Sequence, residues 1–428
     1  MRIAFISFEF PPETARGGIA TYTAQAADMM AGRGHEVEVF AGGSGDITFS
    51  TLSGVRVHTV KCLNHCRFAF PAGLAFARRH AEKPFDVVEA PEYQAEAEVA
   101  IRLVPDIPLV IRMHSPSELI ARINTPRWER NIGFTQAISQ YRILAGALRR
   151  RHPLPSLHLA NPSIVRGREM ENRELAVARE ADEVVSPSVA LTRHAVDAWR
   201  LPDARVSHLP NPFVPSRSLL QVPPVADAPT VGFYGRLEVR KGILSLGQAI
   251  PEIVRAFPSV RFLFIGKSET LDRGGTDAAE RLSRICSKHG AEAEFPGYQP
   301  LHRMPEWLAA SRVAVFPSVW ENFPYVCLEA MAAGRAVVAS NAGGMADMIE
   351  SGHNGLLHNP GDHRQLAAQI IRLLKDVPLC RNMGRFAKNS VLSRYSVEAL
   401  GSRYESCYQK AIEGRSESGS RIQPWTCP

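Results

Sequence analysis

The chain lacks any hydrophobic run that approaches the ~18 residues needed to cross a lipid bilayer. Its first residues, MRIAFISFEFPPE, form a short apolar stretch without a basic region, and we therefore expect no signal peptide. Cysteine is also scarce, because the 428 residues include only seven, scattered along the chain. This pattern argues against a disulfide framework and predicts reduced thiols in a cytoplasmic protein.

Motifs for metal binding, phosphate loops and nucleic acids are missing as well. Cys62 and Cys66 have the spacing of half a zinc site, but no second ligand pair stands nearby. Gly266-Lys267-Ser268 resembles the end of a P-loop, but Arg261 occupies the position that requires the first glycine. No nucleic-acid motif is evident, so the net charge of +7 better suits an anionic small substrate or an anionic membrane surface.

Short apolar segments alternate with helical patterns, which predicts an α/β protein with parallel sheets covered by helices on both faces. A proline-rich stretch interrupts this alternation near the middle of the chain and has the character of a linker. We therefore predict two doubly wound, Rossmann-like domains with a cleft between them. The predicted boundaries are 1–210 for the first domain, 211–228 for the linker, 229–393 for the second domain, 394–413 for a C-terminal helix and 414–428 for a flexible tail.

The most informative segment contains Glu321 and Glu329, eight positions apart, between the predicted strands Val313–Phe316 and Ala336–Ser340. Both glutamates therefore follow the carboxyl end of a parallel strand, where open α/β sheets bind ligands. Pro324 suits the first turn of the next helix, and the free amides of that turn favour an anion. Because carboxylates accept hydrogen bonds from hydroxyls, the segment indicates a sugar nucleotide. The alternative is a helix start with two solvated acids.

Two cations follow the first predicted strand of the second domain. Arg236 and Lys241 stand five positions apart, after the strand Thr230–Tyr234 and a glycine turn. At that edge of the sheet they would neutralise a diphosphate and stabilise it as a leaving group. Arg240 is interpreted as a solvated neighbour, and a solvated basic turn is the alternative for the whole group.

The first domain offers two further candidates for the cleft. Gly17 and Gly18 lie between a strand and a helix, where a missing Cβ lets a phosphate or sugar approach the backbone. His114 ends another strand, from which it would hydrogen-bond a sugar hydroxyl or carry a proton. A turn glycine pair and an ordinary structural histidine are the alternatives.

The stretch 122–151 is strongly basic, with seven arginines, one acid and interleaved apolar residues. A face of this kind would lie on an anionic bilayer or hold a lipid diphosphate, and a solvated helix face is the alternative. The arginines that we assign to this membrane or acceptor face are Arg142, Arg149, Arg150 and Arg151.

These motifs, in their order and spacing, resemble the retaining glycosyltransferases of family 4, which have the GT-B fold of two Rossmann-like domains. The resemblance covers both domains. It rests on Gly17-Gly18, His114, Tyr234-Gly235-Arg236, Lys241, Phe295-Pro296-Gly297-Tyr298, the Glu321/Glu329 pair and Gly343-Gly344.

The resemblance implies that Glu329 binds the ribose hydroxyls of the donor and that Glu321 faces the donor sugar. Arg236 and Lys241 would hold the diphosphate together with backbone amides of the loop that comprises Asn322, Phe323, Pro324 and Tyr325. Gly17 and Gly18 would meet the phosphate, His114 would contact the sugar near its 6-hydroxyl, and Tyr298 would lie close to the base. The candidates for a catalytic role are His114, Glu321, Arg236 and Lys241.

The family's reaction is pictured as attack on the same face of the sugar, with the leaving phosphate taking the acceptor's proton. Glu321 as a covalent nucleophile is the alternative. The family generally needs no metal, and no D-x-D motif is evident here, so we expect no metal or other cofactor.

The predicted activity is therefore transfer of a hexosyl group from a nucleotide diphosphate sugar to a glycan or lipid-linked acceptor, in cell-surface polysaccharide or glycolipid synthesis. The enzyme would be cytoplasmic and peripheral on the inner face of the membrane, without nucleic acid as a partner. A nucleotide-sugar epimerase or hydrolase on the same fold is one alternative. A non-catalytic protein that binds sugar nucleotides is another.

Overall fold

The computed structural model describes residues 1–14, 17–124, 162–224, 226, 228–271 and 275–419. In these residues the first domain contains one sheet, formed by β1 (Arg2–Ile6), β2 (Glu36–Gly43), β3 (Ile47–Ser50), β4 (Arg56–Lys61), β5 (Val87–Pro91), β6 (Leu109–Arg112), β7 (Glu183–Ser186) and β8 (Val206–His208). The spatial order is β3-β4-β2-β1-β5-β6-β7-β8. All neighbours run parallel except β3 and β4, which are antiparallel.

Helices alternate with these strands, as a parallel sheet requires. They are α1 (Gly18–Gly32), α2 (Ala69–Glu82), α3 (Glu98–Leu103), α4 (Ser117–Asn124), α5 (Pro162–Glu180) and α6 (Val189–Asp197). Every residue of the central strand β1 is buried, because β2 and β5 flank it and each face of the sheet packs into a hydrophobic core, one with Ile3 and Phe5 and the other with Ala4 and Ile6.

The second domain contains a parallel sheet in the order β11-β10-β9-β12-β13-β14. Its strands are β9 (Thr230–Tyr234), β10 (Arg261–Ile265), β11 (Glu292–Gly297), β12 (Val313–Phe316), β13 (Ala336–Ser340) and β14 (Leu356–His358). Its helices are α7 (Arg217–Leu220), α8 (Ile243–Ala256), α9 (Ala278–Lys288), α10 (Met304–Ala310), α11 (Tyr325–Ala332), α12 (Met345–Met348), α13 (His363–Lys375) and α14 (Val377–Arg394). No helix in the described ranges is long and apolar enough to cross a bilayer.

The two parallel sheets confirm the predicted α/β architecture with two doubly wound domains. The sequence pattern does not predict β3 or β14. β3 is an edge strand whose side chains are largely exposed, so it lacks the apolar pattern of a core strand. β14 has three residues, too few to show a period.

The last helix, α15 (Val397–Ser418), returns to the first domain and packs against α1, β5, β6 and β7. We predict that this helix ends at 413 and that a flexible tail begins at 414. That prediction is wrong for residues 414–418, because the helix continues to Ser418. Arg415 accounts for the longer helix, since its guanidinium lies 2.7 Å from a carboxylate oxygen of Asp182 and holds the last turn against the first domain.

A buried polar cluster fastens α15 to the first sheet. Glu89 of β5 accepts a hydrogen bond of 2.8 Å from the hydroxyl of Tyr408 and another from the hydroxyl of Tyr22. The guanidinium of Arg112 lies 3.5 Å from the Glu89 carboxylate and 4.8 Å from the ring centres of both Tyr22 and Tyr404. Both charged side chains are 1% exposed, so removing either one would leave the other as a buried charge without its partner.

Replacing Arg112 with methionine is expected to lower the free energy of unfolding by about 3–5 kcal/mol, because Glu89 is left buried without its cation. Arg102→Met is the control, since Arg102 is an exposed arginine that pairs with Glu98 at the surface, and its loss is expected to cost less than about 1 kcal/mol. Urea unfolding followed by circular dichroism measures both effects. Equal losses in the two variants would contradict the structural role of the cluster.

Candidate active site

Glu321 lies in the loop between β12 and α11, and its carboxylate is held by two cations of the second domain. One oxygen lies 2.6 Å from the ammonium of Lys241 and 3.1 Å from the guanidinium of Arg240. The Glu321 side chain is 9% exposed. Burial acts to raise the pKa of Glu321, but the two cations outweigh it and the pKa is lowered. Glu321 is therefore a carboxylate at neutral pH.

The two cations reach Glu321 because the loop after β9 packs directly against the loop after β12. The amide of Val319 donates to the carbonyl of Arg240 at 2.8 Å. Gly242 ends the short turn that carries Lys241, with a φ of 76°, and a Cβ there would lie 1.8 Å from the carbonyl oxygen of Pro317. Only glycine permits both this backbone conformation and this close approach.

The structure corrects the interpretation of Arg240 as a solvated neighbour. Its side chain is 11% exposed and pairs with Glu238 at 3.0 Å as well as with Glu321. Arg236 is the more exposed arginine, at 56%, and also lies close to Glu238, at 3.2 Å. The turn over Val239–Lys241 directs Arg240 inward and leaves Arg236 at the mouth of the site.

Gly343 and Gly344 pack against the backbone of the Glu321 loop. A Cβ at Gly343 would lie 1.9 Å from the carbonyl oxygen of Glu321, and one at Gly344 would lie 1.8 Å from that of Asn322. The amide of Gly344 also donates to the carbonyl of Glu321 at 2.9 Å. The glycine pair therefore permits the close approach of a protein loop.

Helix α11 begins at Tyr325, with Pro324 at its N-cap. The amide of Cys327 donates to the carbonyl of Pro324 at 3.0 Å, whereas the first two amides of the helix, of Tyr325 and Val326, have no partner among the described residues and are available to an anion. The side chain of Tyr325 points elsewhere, since its hydroxyl donates to the carbonyl of Pro212 at 3.3 Å. Phe323 packs edge-on against the rings of Tyr325 and Tyr395. The site therefore draws on the backbone of this segment rather than on its aromatic rings.

Glu329 lies one helical turn after Tyr325 in α11 and is half-buried. In the described part of the chain, its carboxyl group makes no hydrogen bond or ion pair. Burial raises the pKa of Glu329 to about 7. This carboxyl therefore titrates near neutral pH, in contrast to Glu321, and it is free to accept a hydrogen bond from a ligand.

Gly18 lies where the first domain meets the start of α11. It is the first residue of α1, and a Cβ there would lie 3.9 Å from the ring of Tyr325. Gly17 is the N-cap of α1, and a Cβ on it would lie 3.5 Å from a carboxylate oxygen of Glu9. The N-termini of α1 and α11 thus approach each other across the boundary between the domains.

His114 follows β6 and packs edge-on against Tyr22, with 5.4 Å between the ring centres. Its Nε2 is buried and has no hydrogen-bond partner among the described residues. Burial, reinforced by the charge of Arg112, lowers the pKa of His114 to about 3. The imidazole is therefore neutral, which suits a hydrogen bond to a ligand better than delivery of a proton.

Three glutamates hold the loop that carries His114, and no sequence motif marks them. The carboxylate of Glu92 accepts from the amides of His114 and Ser115, each at 2.7 Å. Glu174 accepts from the amide and hydroxyl of Ser117, at 3.1 and 2.5 Å, and Glu171 accepts from the next amide at 2.8 Å. Burial, followed by the charge of Glu174, raises the pKa of Glu92 to about 8.

Asn322 joins the two domains. Its Oδ1 accepts from the hydroxyl of Ser188 at 2.6 Å, and its Nδ2 donates to the carbonyl of His114 at 2.6 Å. A second bond lies close by, from the amide of Val189 to a carboxylate oxygen of Asp347 at 2.8 Å. The structure therefore brings Glu321, Lys241, the start of α11, Gly18 and His114 to one junction.

Other predicted site residues lie farther out or beyond the described ranges. Tyr298 follows β11 in an exposed turn, and its side chain is 75% exposed. The arginines assigned to the membrane or acceptor face lie outside the described residues, namely Arg142, Arg149, Arg150 and Arg151.

Comparisons with known proteins match both halves of the chain. The model described as Glycosyltransferase Family 4 matches residues 16–217, and the one described as Glycosyl transferases group 1 matches residues 228–376. An uncharacterized glycosyltransferase of Methanocaldococcus jannaschii is 24% identical over 96% of this chain and 99% of its own length.

Solved structures show the same arrangement of domains. Sucrose-phosphate synthase from Thermosynechococcus elongatus has a TM-score of 0.70 at 22% identity, covering 96% of this chain and 99% of that one. HepE of Anabaena in complex with UDP-glucose has a TM-score of 0.61 at 20% identity, covering 97% of this chain and 100% of that one. The GT-B fold is thereby confirmed. Because family models match both domains, the chain belongs to glycosyltransferase family 4 and is a glycosyltransferase.

Proposed function

We propose that this enzyme transfers a hexosyl group, with retention of configuration, from a nucleotide diphosphate sugar to a glycan or lipid-linked acceptor. The observation that carries the proposal is the ion pair of 2.6 Å between Lys241, in the turn after β9, and Glu321, in the loop that leads into α11. A cation fixed at this loop, together with the free first amides of α11, supports a site for a sugar diphosphate. The UDP-glucose bound to HepE supports a donor of this class.

In this proposal the second domain holds the donor. Lys241, Arg236 at the mouth and the first amides of α11 contact the diphosphate, and Glu329 accepts hydrogen bonds from the ribose. The acceptor oxygen forms its bond to the anomeric carbon as the bond from that carbon to the phosphate oxygen breaks. The departing phosphate oxygen takes the acceptor's proton, and the cations stabilise the charge that develops on the diphosphate.

We assign Glu321 to orientation of Lys241 and of the donor sugar rather than to covalent attack. A carboxylate paired with both Lys241 and Arg240 has its negative charge already engaged, which weakens it as a nucleophile. Because Lys241 and Arg236 can meet the charge of the diphosphate, we also propose that transfer needs no metal.

Lys241→Ala is expected to lower kcat/KM about 10²–10³-fold, the scale for losing one charge-stabilising group. Glu329→Ala is expected to raise the donor KM about tenfold or more through loss of hydrogen bonds to a charged group. Transfer from a panel of nucleotide sugars to a membrane extract, with and without EDTA, measures these effects.

The matched controls are Lys375→Ala and Glu306→Ala, which change exposed residues on α13 and α10. Both are expected to retain wild-type rates. Full activity in the folded Lys241 and Glu329 variants would overturn the donor site, and loss of transfer in EDTA would overturn metal independence.

The raised pKa of Glu329 predicts that donor binding depends on pH. Its carboxylate is the better acceptor for ribose hydroxyls, so affinity is expected to fall as pH drops through about 7 and Glu329 becomes protonated. Calorimetry with a nucleotide sugar is expected to show a loss of about three- to tenfold between pH 8 and pH 6. The Glu329→Gln variant is expected to bind weakly at every pH, and an unchanged pH dependence in it would refute the assignment.

We further propose that the basic stretch of the first domain brings the enzyme to an anionic membrane, where a lipid-linked acceptor resides. Its net positive charge supports this, because each cation near such a surface adds about 1 kcal/mol of attraction. A variant with Arg149, Arg150 and Arg151 changed to glutamate is expected to float less with anionic liposomes than the wild type. Equal flotation of the two proteins would remove this part of the proposal.

A further inference from the structure

The side chain of Asn322 occupies the boundary between the domains and is 6% exposed. Three hydrogen bonds of this side chain cross that boundary. Its Oδ1 accepts from Ser188, and its Nδ2 donates to the carbonyl of His114, each at 2.6 Å. A third bond of 3.3 Å runs from Nδ2 to the carbonyl of Met113.

Only an amide satisfies this set of partners. The hydroxyl of Ser188 donates, whereas the two carbonyls of the His114 segment can only accept. A carboxylate at position 322 would keep the bond from Ser188 but would have no proton for either carbonyl. Ser188 is itself fixed, since it caps α6 by accepting from the amide of Leu191 at 3.2 Å.

Asn322 is also the immediate neighbour of Glu321 in the loop before α11. The backbone of Asn322 is therefore part of the loop in which Glu321 pairs with Lys241. Its side chain contacts the segment that carries His114. On the far side of that segment, Glu92 accepts from the amides of His114 and Ser115. The His114 loop is therefore held from the first domain by Glu92 and from the second domain by Asn322.

We propose that Asn322 is a positioning residue, whose side chain sets His114 opposite the donor loop so that the imidazole meets the sugar. The expected effect on catalysis rests on the proposed function. The effect of Asn322 on the position of His114 does not. The buried Nε2 of His114 has no hydrogen-bond partner among the described residues, which supports the proposal, because the imidazole is then held by its packing against Tyr22 and by its hydrogen-bonded backbone.

The nearby bond between Asp347 and the amide of Val189 supplies a matched control. It also joins the two domains at the same junction, but among the described residues it makes no hydrogen bond to the His114 segment. Loosening the domains in general would make Asp347→Ala and Asn322→Ala behave alike. Positioning of His114 predicts that only the Asn322 variant alters the histidine.

The first measurement needs no turnover. In protein with isotope-labelled histidine, Asn322→Ala and Asn322→Asp are expected to shift the imidazole resonance of His114, identified by its loss in His114→Gln. Ser188→Ala is expected to shift it less, and Asp347→Ala not at all. An unmoved His114 resonance in a folded Asn322 variant would overturn the proposal, even if the protein transferred no sugar to any acceptor tested.

The second measurement uses transfer kinetics. Asn322→Ala and Asn322→Asp are expected to lower kcat about tenfold or more while the Kd for the nucleoside diphosphate changes less than about threefold. In a His114→Ala background, Asn322→Ala is expected to have little further effect, because the two residues act as one unit. Additive effects, or a Kd that worsens as much as kcat, would instead make Asn322 a donor ligand and overturn the proposal.

Discussion

The buried ion pair of Glu321 with Lys241 and Arg240 is the interaction on which the site depends. Removing a carboxylate from water costs several kcal/mol unless cations and hydrogen bonds compensate for it. Here the compensation comes from another loop, so the segments after β9 and β12 must pack together. Gly242 makes this possible, because it lets the backbone of one loop touch the backbone of the other. The same packing brings the cation Lys241 beside the free amides of α11.

The second constraint is the loop that carries His114 in the first domain, which is held by acidic side chains rather than by cations. Around His114 the supporting groups are acids, and burial raises the pKa values of Glu92 and Glu174 to about 8 and about 7. The cations Lys241, Arg240 and Arg236 lie on the second domain, so the positive charge that favours a diphosphate is concentrated there. Asn322 and Asp347 bridge the two environments, and α15 ties the domains together elsewhere through its tyrosines.

The sequence was sufficient to predict what depends on local pattern. Strand and helix alternation predicts the two sheets, and the apolar strands that flank Glu321 and Glu329 predict that this segment follows a strand. Arg240 was misinterpreted because neighbouring residues in a short turn face inward or outward according to its dihedral angles, which no periodic pattern encodes. The end of α15 was missed for a similar reason, since Arg415 pairs with a residue far away in the chain.

The contacts across the junction were beyond sequence reasoning because the partners are distant in the chain. Asn322 reaches Ser188 and His114 across 134 and 208 positions. A crystal structure with a nucleotide diphosphate sugar tests the proposed donor site most directly. We expect diphosphate oxygens within hydrogen-bond distance of the Lys241 ammonium and of the first amides of α11, with the ribose on Glu329. A donor bound elsewhere, with the pair of Glu321 and Lys241 untouched, would contradict it.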